Sequence, residues 1–234
     1  MPGMTVTNAL ELAHWRRLTA EMYAAVRGAT EENANEIWMQ FRETRDRLFA
    51  SLPQSPLDEQ GKRAFRALRY FPFNRRLRFT VPLLPLSMGP DSQNDQERTS
   101  RTFELPEGRL NCRAFGRVEF RPADSGSLRL TLYWVEGYGG GLFLPFKDET
   151  SGHETYGGGR YLYDTIKGAD LGAGPSHVVL DFNYAYNPSC AYDSRWICPL
   201  APGENVLPLR IDAGELAFEG PLEPAGRHSN RWQI

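Results

Sequence analysis

The spacing of apolar residues changes near residue 75, and this change constrains the fold more than any other feature of the sequence. Before it, apolar residues recur at roughly helical spacing, as in Leu12, Trp15, Met22 and Val26. After it, apolar residues alternate with polar ones, as in Leu77, Phe79 and Val81. The pattern predicts helices followed by half-buried strands.

Three helices are predicted in the first 70 residues. Asn8 with Glu11 forms a capping box for the first helix, which would end at Gly28. The second runs over residues 31–50. The third starts at Ser55-Pro56, because proline is tolerated in the first helical turn. Its buried contacts would be Phe65 and Leu68.

The later alternation predicts antiparallel strands. One strand carries a single apolar face made of Cys112, Ala114, Gly116, Val118 and Phe120. The turn PADSG joins it to a second strand with Leu128, Leu130, Leu132 and Trp134, so the two form a hairpin. Further strands are predicted over residues 178–182 and 206–211, and a polar loop over residues 87–98.

These elements predict an α+β fold, with N-terminal helices packed on a mainly antiparallel β-barrel or β-sandwich, including the split-barrel type. The predicted organisation is a helical N-terminal segment (1–70), a β-domain (71–220) and a polar tail (221–234). A chain of 234 residues is long enough to bury a sizeable core.

Composition and charge argue against some classes of partner. A net charge of −2 argues against a nucleic-acid coat, although residues 62–78 hold seven basic residues interleaved with aromatic ones. We interpret those arginines as solvated faces, so nucleic acid is not an expected partner. No run approaches the length of a membrane span and no signal peptide is recognisable, so we expect a cytoplasmic protein without membrane contact. The oligomeric state is left open.

Two long stretches carry a family resemblance. The run DETSGHETYGGGRYLYD and the later run VVLDFNYAYNPSCAYDSRWICPLAPGEN resemble the domain-of-unknown-function 1684 family. The upstream pieces SPLDEQGKRAFRALRYFPF and FRPADSGSLRLTLYW fit the same pattern. The resemblance implies a bacterial or archaeal protein and assigns no role to any residue.

Polar residues and glycines concentrate in three segments, which are residues 147–160, 181–187 and 187–205. Because loops on a rigid scaffold often carry sites, we predict a polar ligand site there. The candidate ligand-binding residues are Glu154, Tyr156, Arg160, Tyr161, Asp181, Asn183, Asn187, Cys190 and Asn205.

Arg160 and Asp181 are predicted to be ion-pair partners. Arg160 opens a strand after three glycines, and Asp181 and Asn183 alternate with Phe182, so they are predicted to share a strand face. A buried network that holds loops together is the alternative to a ligand pocket.

Cys190 and Cys198 have several readings: small buried side chains, a disulfide, or a catalytic or metal-binding pair. Seven residues separate them, which does not match the usual spacing of zinc ligands, and no metal site is predicted. We expect both thiols to be reduced and at least one to be buried.

Function stays open between two classes. One is a small-molecule-binding β-domain, with or without catalytic activity. The other is a non-catalytic structural or protein-interaction module whose signature loop is only scaffold. A flavin-binding split barrel is a third reading, by analogy of fold alone. The usual ATP and NAD motifs are absent from the sequence, and the identity of any cofactor is left open.

Overall fold

The computed structural model describes residues 6–86, 100–105, 108–123 and 125–220. The predicted polar loop at 87–98 and the tail at 221–234 lie outside these residues. Three helices come first: α1 (Val6–Arg27), α2 (Ala34–Ser51) and α3 (Glu59–Ala64). Helix α1 already includes Asn8, so the predicted N-cap there is wrong. Helix α3 begins after Asp58, whose carboxylate accepts the Gly61 N–H, and not at Ser55.

Within the described ranges, seven antiparallel strands follow the helices. They are β1 (Arg78–Pro85), β2 (Ser100–Leu105), β3 (Gly108–Phe120), β4 (Leu128–Val135), β5 (Gly141–Phe146), β6 (Arg160–Asp164) and β7 (His177–Asp181). The order across the sheet is β6-β5-β4-β3-β1-β7, and β2 also pairs with β3. The sheet is curled into a half-barrel, which confirms the predicted α+β class.

The two ends of the curled sheet approach each other. Tyr161 on β6 exchanges both backbone hydrogen bonds with Tyr186, five residues after the end of β7. The main core lies between the sheet and the first two helices, where Tyr23 and Phe41 pack with Leu130 and Phe182. The helices therefore contribute to the same core as the strands.

The predicted hairpin is confirmed as β3 and β4, but one predicted face is wrong. The register shifts between Ala114 and Gly116, so an extra residue interrupts the alternation. As a result Val118 lies in the main core, whereas Cys112 lies in a second cluster with Tyr133 and Tyr161 on the other side of the sheet.

One strand prediction is wrong, and the strand predicted at 178–182 is confirmed to within one residue at each end. Residues 206–211 form no strand and make a single bridge between Val206 and Lys147. Strand β7 ends at Asp181, and residues 182–184 form a 3₁₀ turn. Asp181 and Asn183 therefore do not share a strand face. The Asp181 carboxylate accepts the backbone N–H of Asn183 at 3.1 Å and stabilises the turn.

Candidate functional site

Arg160 lies at the start of β6 and is buried, but its partner is not Asp181. Its guanidinium donates to the carbonyls of Ala213 and Ile211 and to Asp148 Oδ1 at 3.3 Å. The predicted pair with Asp181 is wrong: no ion pair joins the two among the described residues, and Asp181 lies 3.4 Å from Arg78 Nε.

Local backbone geometry explains why Arg160 reaches Asp148. Gly159 has φ +94°, and a Cβ there would lie 2.5 Å from the carbonyl oxygen of Phe146. Glycine allows β6 to begin against the end of β5, so that Arg160 pairs directly with Phe146 and its guanidinium lies over that ring.

Both oxygens of the Asp148 carboxylate accept hydrogen bonds from the chain itself. Its oxygens accept the Thr150 hydroxyl at 2.9 and 3.0 Å and the backbone N–H of Ile211 at 2.7 Å, in addition to Arg160. Burial lowers the pKa of Arg160, and the charge of Asp148 opposes that shift. This cluster links the 147–160 loop to the segment at 211–213.

Asp181 and Asn183 form a second buried cluster. The Asn183 amide accepts the Asn74 N–H at 2.7 Å and donates to the Asn74 carbonyl at 2.9 Å. Desolvation raises the pKa of Asp181 to about 6, although hydrogen bonds from Asn183 and the charge of Arg78 oppose the rise. These contacts join β7 to the chain before β1.

Asn187 belongs to a third cluster, centred on Glu215. Its side-chain nitrogen donates to Glu215 Oε1 at 3.2 Å, and Tyr192 donates its hydroxyl to the same carboxylate. Arg45 of α2 binds Glu215 Oε2 at 2.8 Å. Desolvation raises the pKa of Glu215, and Arg45 opposes it.

Sequence reasoning missed Asp148, Arg45 and Glu215 as partners. Arg45 lies four residues after Phe41 and four before Phe49, so helical spacing already placed it on the apolar side of α2. Asp148 opens the first family run. Glu215 lies in no helix or strand and carries no comparable signal.

Asn205 and Glu154 have separate roles. The buried Asn205 amide binds both backbone groups of Thr131 and the carbonyl of Pro145. Glu154 is exposed and binds Arg210 at 2.8 Å, and the hydrogen bonds from Arg210 lower its pKa. Neither residue lies with the clusters of Arg160 or Asp181.

Tyr156, Cys190 and Cys198 do come together. The Tyr156 hydroxyl donates to Cys190 Sγ at 3.4 Å, and the Cys190 N–H donates to Cys198 Sγ at 3.3 Å. Both thiols are free. The prediction that at least one is buried is wrong, because both are partly exposed.

A cavity of about 150 Å³ adjoins the thiols, and we call it the Tyr161 cavity. Apolar side chains form most of its wall, with an ion pair between Asp164 and Lys167 at 3.2 Å. Its lining is Leu110, Val135, Phe143, Tyr161, Asp164, Ile166, Lys167, Ile197, Cys198 and Pro199. Of the nine predicted ligand-binding residues, Tyr161 alone lines this cavity.

A larger cavity of about 310 Å³ lies between residues 66–69 and 215–219. It adjoins the point where the described chain ends, at residue 220. Its two acidic residues are both ion-paired, Glu215 with Arg45 and Glu219 with Arg69. The Tyr161 cavity is lined by a predicted site residue, Tyr161, and by Cys198, so we take it as the candidate site.

Two kinds of feature are absent from the residues that the structure describes. No group of three or more His, Cys, Asp or Glu side chains in these ranges could hold a metal ion. No helix in the described part of the chain is long and apolar enough to cross a membrane.

The chain was compared with protein families, curated proteins and solved structures. No curated protein matches it. It is similar to the solution NMR structure of an uncharacterized protein from Haloarcula marismortui, with 28% identity and a TM-score of 0.54. That similarity covers 80% of this chain and 97% of the other. The model of the family described as Protein of unknown function (DUF1684) matches residues 63–216, so the chain belongs to this family.

Proposed function

We propose that the chain is a small-molecule-binding β-domain and that its ligand occupies the Tyr161 cavity. The observation that carries the proposal is the size and lining of this cavity. A cavity of about 150 Å³ can hold a molecule the size of benzene. The ligand class is therefore a compound with a single ring.

The cavity wall favours an amphipathic ligand. Val135 and Phe143 belong to the second apolar cluster, so they offer an apolar surface to a ring. The Tyr161 hydroxyl is committed to the carbonyl of Pro199, so this residue contributes its ring. Asp164 and Lys167 supply the charged part of the wall, where a small polar substituent would bind.

In this proposal the polar residues of the family runs hold the scaffold. Arg160, Asp181, Asn183 and Asn205 each bind groups of the chain itself. Buried polar groups need such partners, and these clusters connect loops to strands. None of the four residues lines the cavity.

Thermal unfolding of the full chain with single-ring compounds tests the proposal. Phenol, aniline and benzoate carry a neutral, basic or acidic substituent on one ring. A compound at 100 times its dissociation constant adds about 2.7 kcal/mol to the unfolding free energy. We expect at least one to raise the melting temperature in a saturable way.

A matched pair of variants locates the binding site. Ile197 lines the cavity and is 55% exposed, so Ile197→Trp should obstruct the mouth and abolish the ligand-induced shift. Met39 on α2 is 45% exposed and lies outside the lining, so Met39→Trp should keep the shift. A shift that survives Ile197→Trp unchanged would place the ligand elsewhere.

The alternative is a non-catalytic protein-interaction module. The 187–205 segment exposes apolar side chains, including Trp196, Ile197 and Leu200, which favours this alternative. Failure of every single-ring compound to shift unfolding would support it.

The three-ring system of a flavin exceeds a cavity that holds one ring, so the flavin prediction finds no support at this cavity and remains untested elsewhere.

A further inference from the structure

Two cysteines from one loop lie side by side in the described chain. The Cys190 N–H donates to Cys198 Sγ at 3.3 Å, and each thiol shifts the pKa of the other. Both are partly exposed, so a small reagent in solution can reach them. The third cysteine, Cys112, is buried in the second apolar cluster.

Contacts from outside the loop hold this pair in place. The Tyr161 hydroxyl binds the carbonyl of Pro199, next to Cys198. The indole N–H of Trp196 donates to the Pro56 carbonyl at 2.9 Å. A Cβ on Gly158 would lie 2.4 Å from the Tyr156 ring, so the absence of a side chain there lets Tyr156 reach Cys190.

The surroundings make the two thiols chemically different. Hydrogen bonds from Cys198 and then from Tyr156 lower the pKa of Cys190 to about 7, against the desolvation that raises it. The pKa of Cys198 is raised, chiefly because its thiol is the donor to Cys190. The positive charge of the exposed Lys167 opposes the rise in the pKa of Cys198. A thiolate is the nucleophilic form of cysteine, so Cys190 is the attacking sulfur.

We propose that Cys190 and Cys198 form a reversible dithiol–disulfide site that reacts with a hydroperoxide. The Cys190 thiolate attacks the terminal peroxide oxygen, the O–O bond breaks, and the leaving alkoxide or hydroxide takes up a proton. Cys190 is then a sulfenic acid. Cys198 attacks its sulfur, the S–O bond breaks, water leaves, and the S–S bond forms.

The overall reaction is balanced by the peroxide. Two thiols lose two electrons and two protons, and the hydroperoxide becomes an alcohol and water, or two waters if it is hydrogen peroxide. A small thiol returns the pair to its reduced form by thiol–disulfide exchange, and is itself oxidised to a disulfide.

Mass spectrometry of the full chain tests the reaction. The chain is treated with hydrogen peroxide, then denatured and alkylated with N-ethylmaleimide. We expect one alkylated thiol, Cys112, in place of three. Trypsin cleaves after Arg195, between the two cysteines, so the disulfide should join peptide 168–195 to peptide 196–210. Dithiothreitol should restore three reactive thiols.

Two conservative variants separate the roles. In Cys198→Ser, Cys190 should accumulate as a sulfenic acid that dimedone traps. In Tyr156→Phe, the thiolate loses one hydrogen bond, so the inflection of Cys190 alkylation against pH should rise by about one unit from its value near 7. The phenyl ring keeps the packing of Tyr156, so this variant should fold.

Three results would overturn the proposal. One is peroxide treatment that leaves all three thiols free to react. Another is disulfide formation only between separate chains. The third is a Cys190 alkylation profile whose inflection lies at the ordinary cysteine value, about 8.5, in both the wild type and Tyr156→Phe.

Discussion

Asp181 is a buried carboxylate whose cationic neighbour is itself about half exposed to solvent. It is 3% exposed, and its cation, Arg78, is about half exposed and 3.4 Å away. Asn183 supplies two hydrogen bonds to the same Oδ1 atom. Desolvation still dominates, so the carboxyl group takes up a proton more readily in the folded chain than in the unfolded one.

The raised pKa of Asp181 has a consequence for stability. Between the unfolded pKa, about 3.9, and the folded value of about 6, the folded chain holds a proton that the unfolded chain has lost. The stabilisation of the folded chain by this proton is fully present below pH 4 and is lost as pH rises through 6. It amounts to roughly 3 kcal/mol.

Asp181→Asn removes this titration while keeping the oxygen that caps the turn. Relative to the wild type, its unfolding free energy should rise by roughly 3 kcal/mol between pH 4 and pH 7. Urea unfolding of both proteins at four pH values measures this difference. A difference that stays constant or falls with pH would contradict the assignment.

At this scale the sequence identified the buried polar residues better than their partners. Arg160, Asp181, Asn183, Asn187 and Asn205 were all selected, and all are buried. The pair of Arg160 with Asp181 failed because Arg160 turns toward Asp148 and two carbonyls of the 211–213 segment. That segment has no periodic pattern, so nothing in the sequence placed it beside β6.

At the scale of elements, the side-chain amide of Asn205 takes the place of backbone hydrogen bonds between β4 and β5. Tyr133 lies opposite Phe143, so the same register carried two residues further would set Thr131 opposite Pro145. Proline has no N–H to donate, and the strand is irregular there. The Asn205 amide fills the place, accepting from the Thr131 N–H at 2.7 Å and donating to both carbonyls.

Asn205→Asp should therefore disrupt the β4–β5 junction. The substitution replaces a donor with a carboxylate oxygen that faces two carbonyls in a buried site, at a cost of about 3 kcal/mol or more. Asn111→Asp is the matched control, because Asn111 is exposed on β3, and it should change stability by less than about 1 kcal/mol. Urea unfolding at pH 7 compares them. Equal effects of the two substitutions would refute the role of Asn205.

Alternation along the chain predicted the strands well where one face meets the core. It placed the β3–β4 hairpin, but it could not show the bulge at Phe115, which turns Cys112 toward the other side of the sheet. The segment 206–211 has apolar residues at alternate positions and was predicted as a strand. It is instead held by contacts with the 147–149 backbone at Lys147 and Glu149.

At the scale of the whole molecule, Arg45 and Glu215 join the helices to the last described segment. They lie 170 residues apart in sequence and bind at 2.8 Å, with Tyr70 and Tyr192 completing the cluster. The sequence predicted that the helices pack on the sheet. It could not predict this pair, because neither spacing nor composition relates positions so far apart.

Each single substitution of this pair leaves a buried charge. Arg45→Met and Glu215→Leu should each lower the unfolding free energy by about 3–5 kcal/mol, and the double variant should lose much less than their sum. The cycle Arg129→Met with Glu119→Leu is the control, because Arg129 on β4 is exposed and Glu119 on β3 is partly exposed, so the pair should couple by under about 1 kcal/mol. Additive losses at Arg45 and Glu215 would show that they are not a unit.

We propose that the Tyr161 cavity holds a small ligand. Methyl-resolved NMR of the full chain, titrated with phenol, tests this claim most directly. The predicted result is saturable shifts of the methyl groups of Val135, Ile166 and Ile197, which line the cavity, with Leu68 and Leu216 of the other cavity unchanged. Shifts confined to Leu68 and Leu216, or no saturable shift at all, would contradict it.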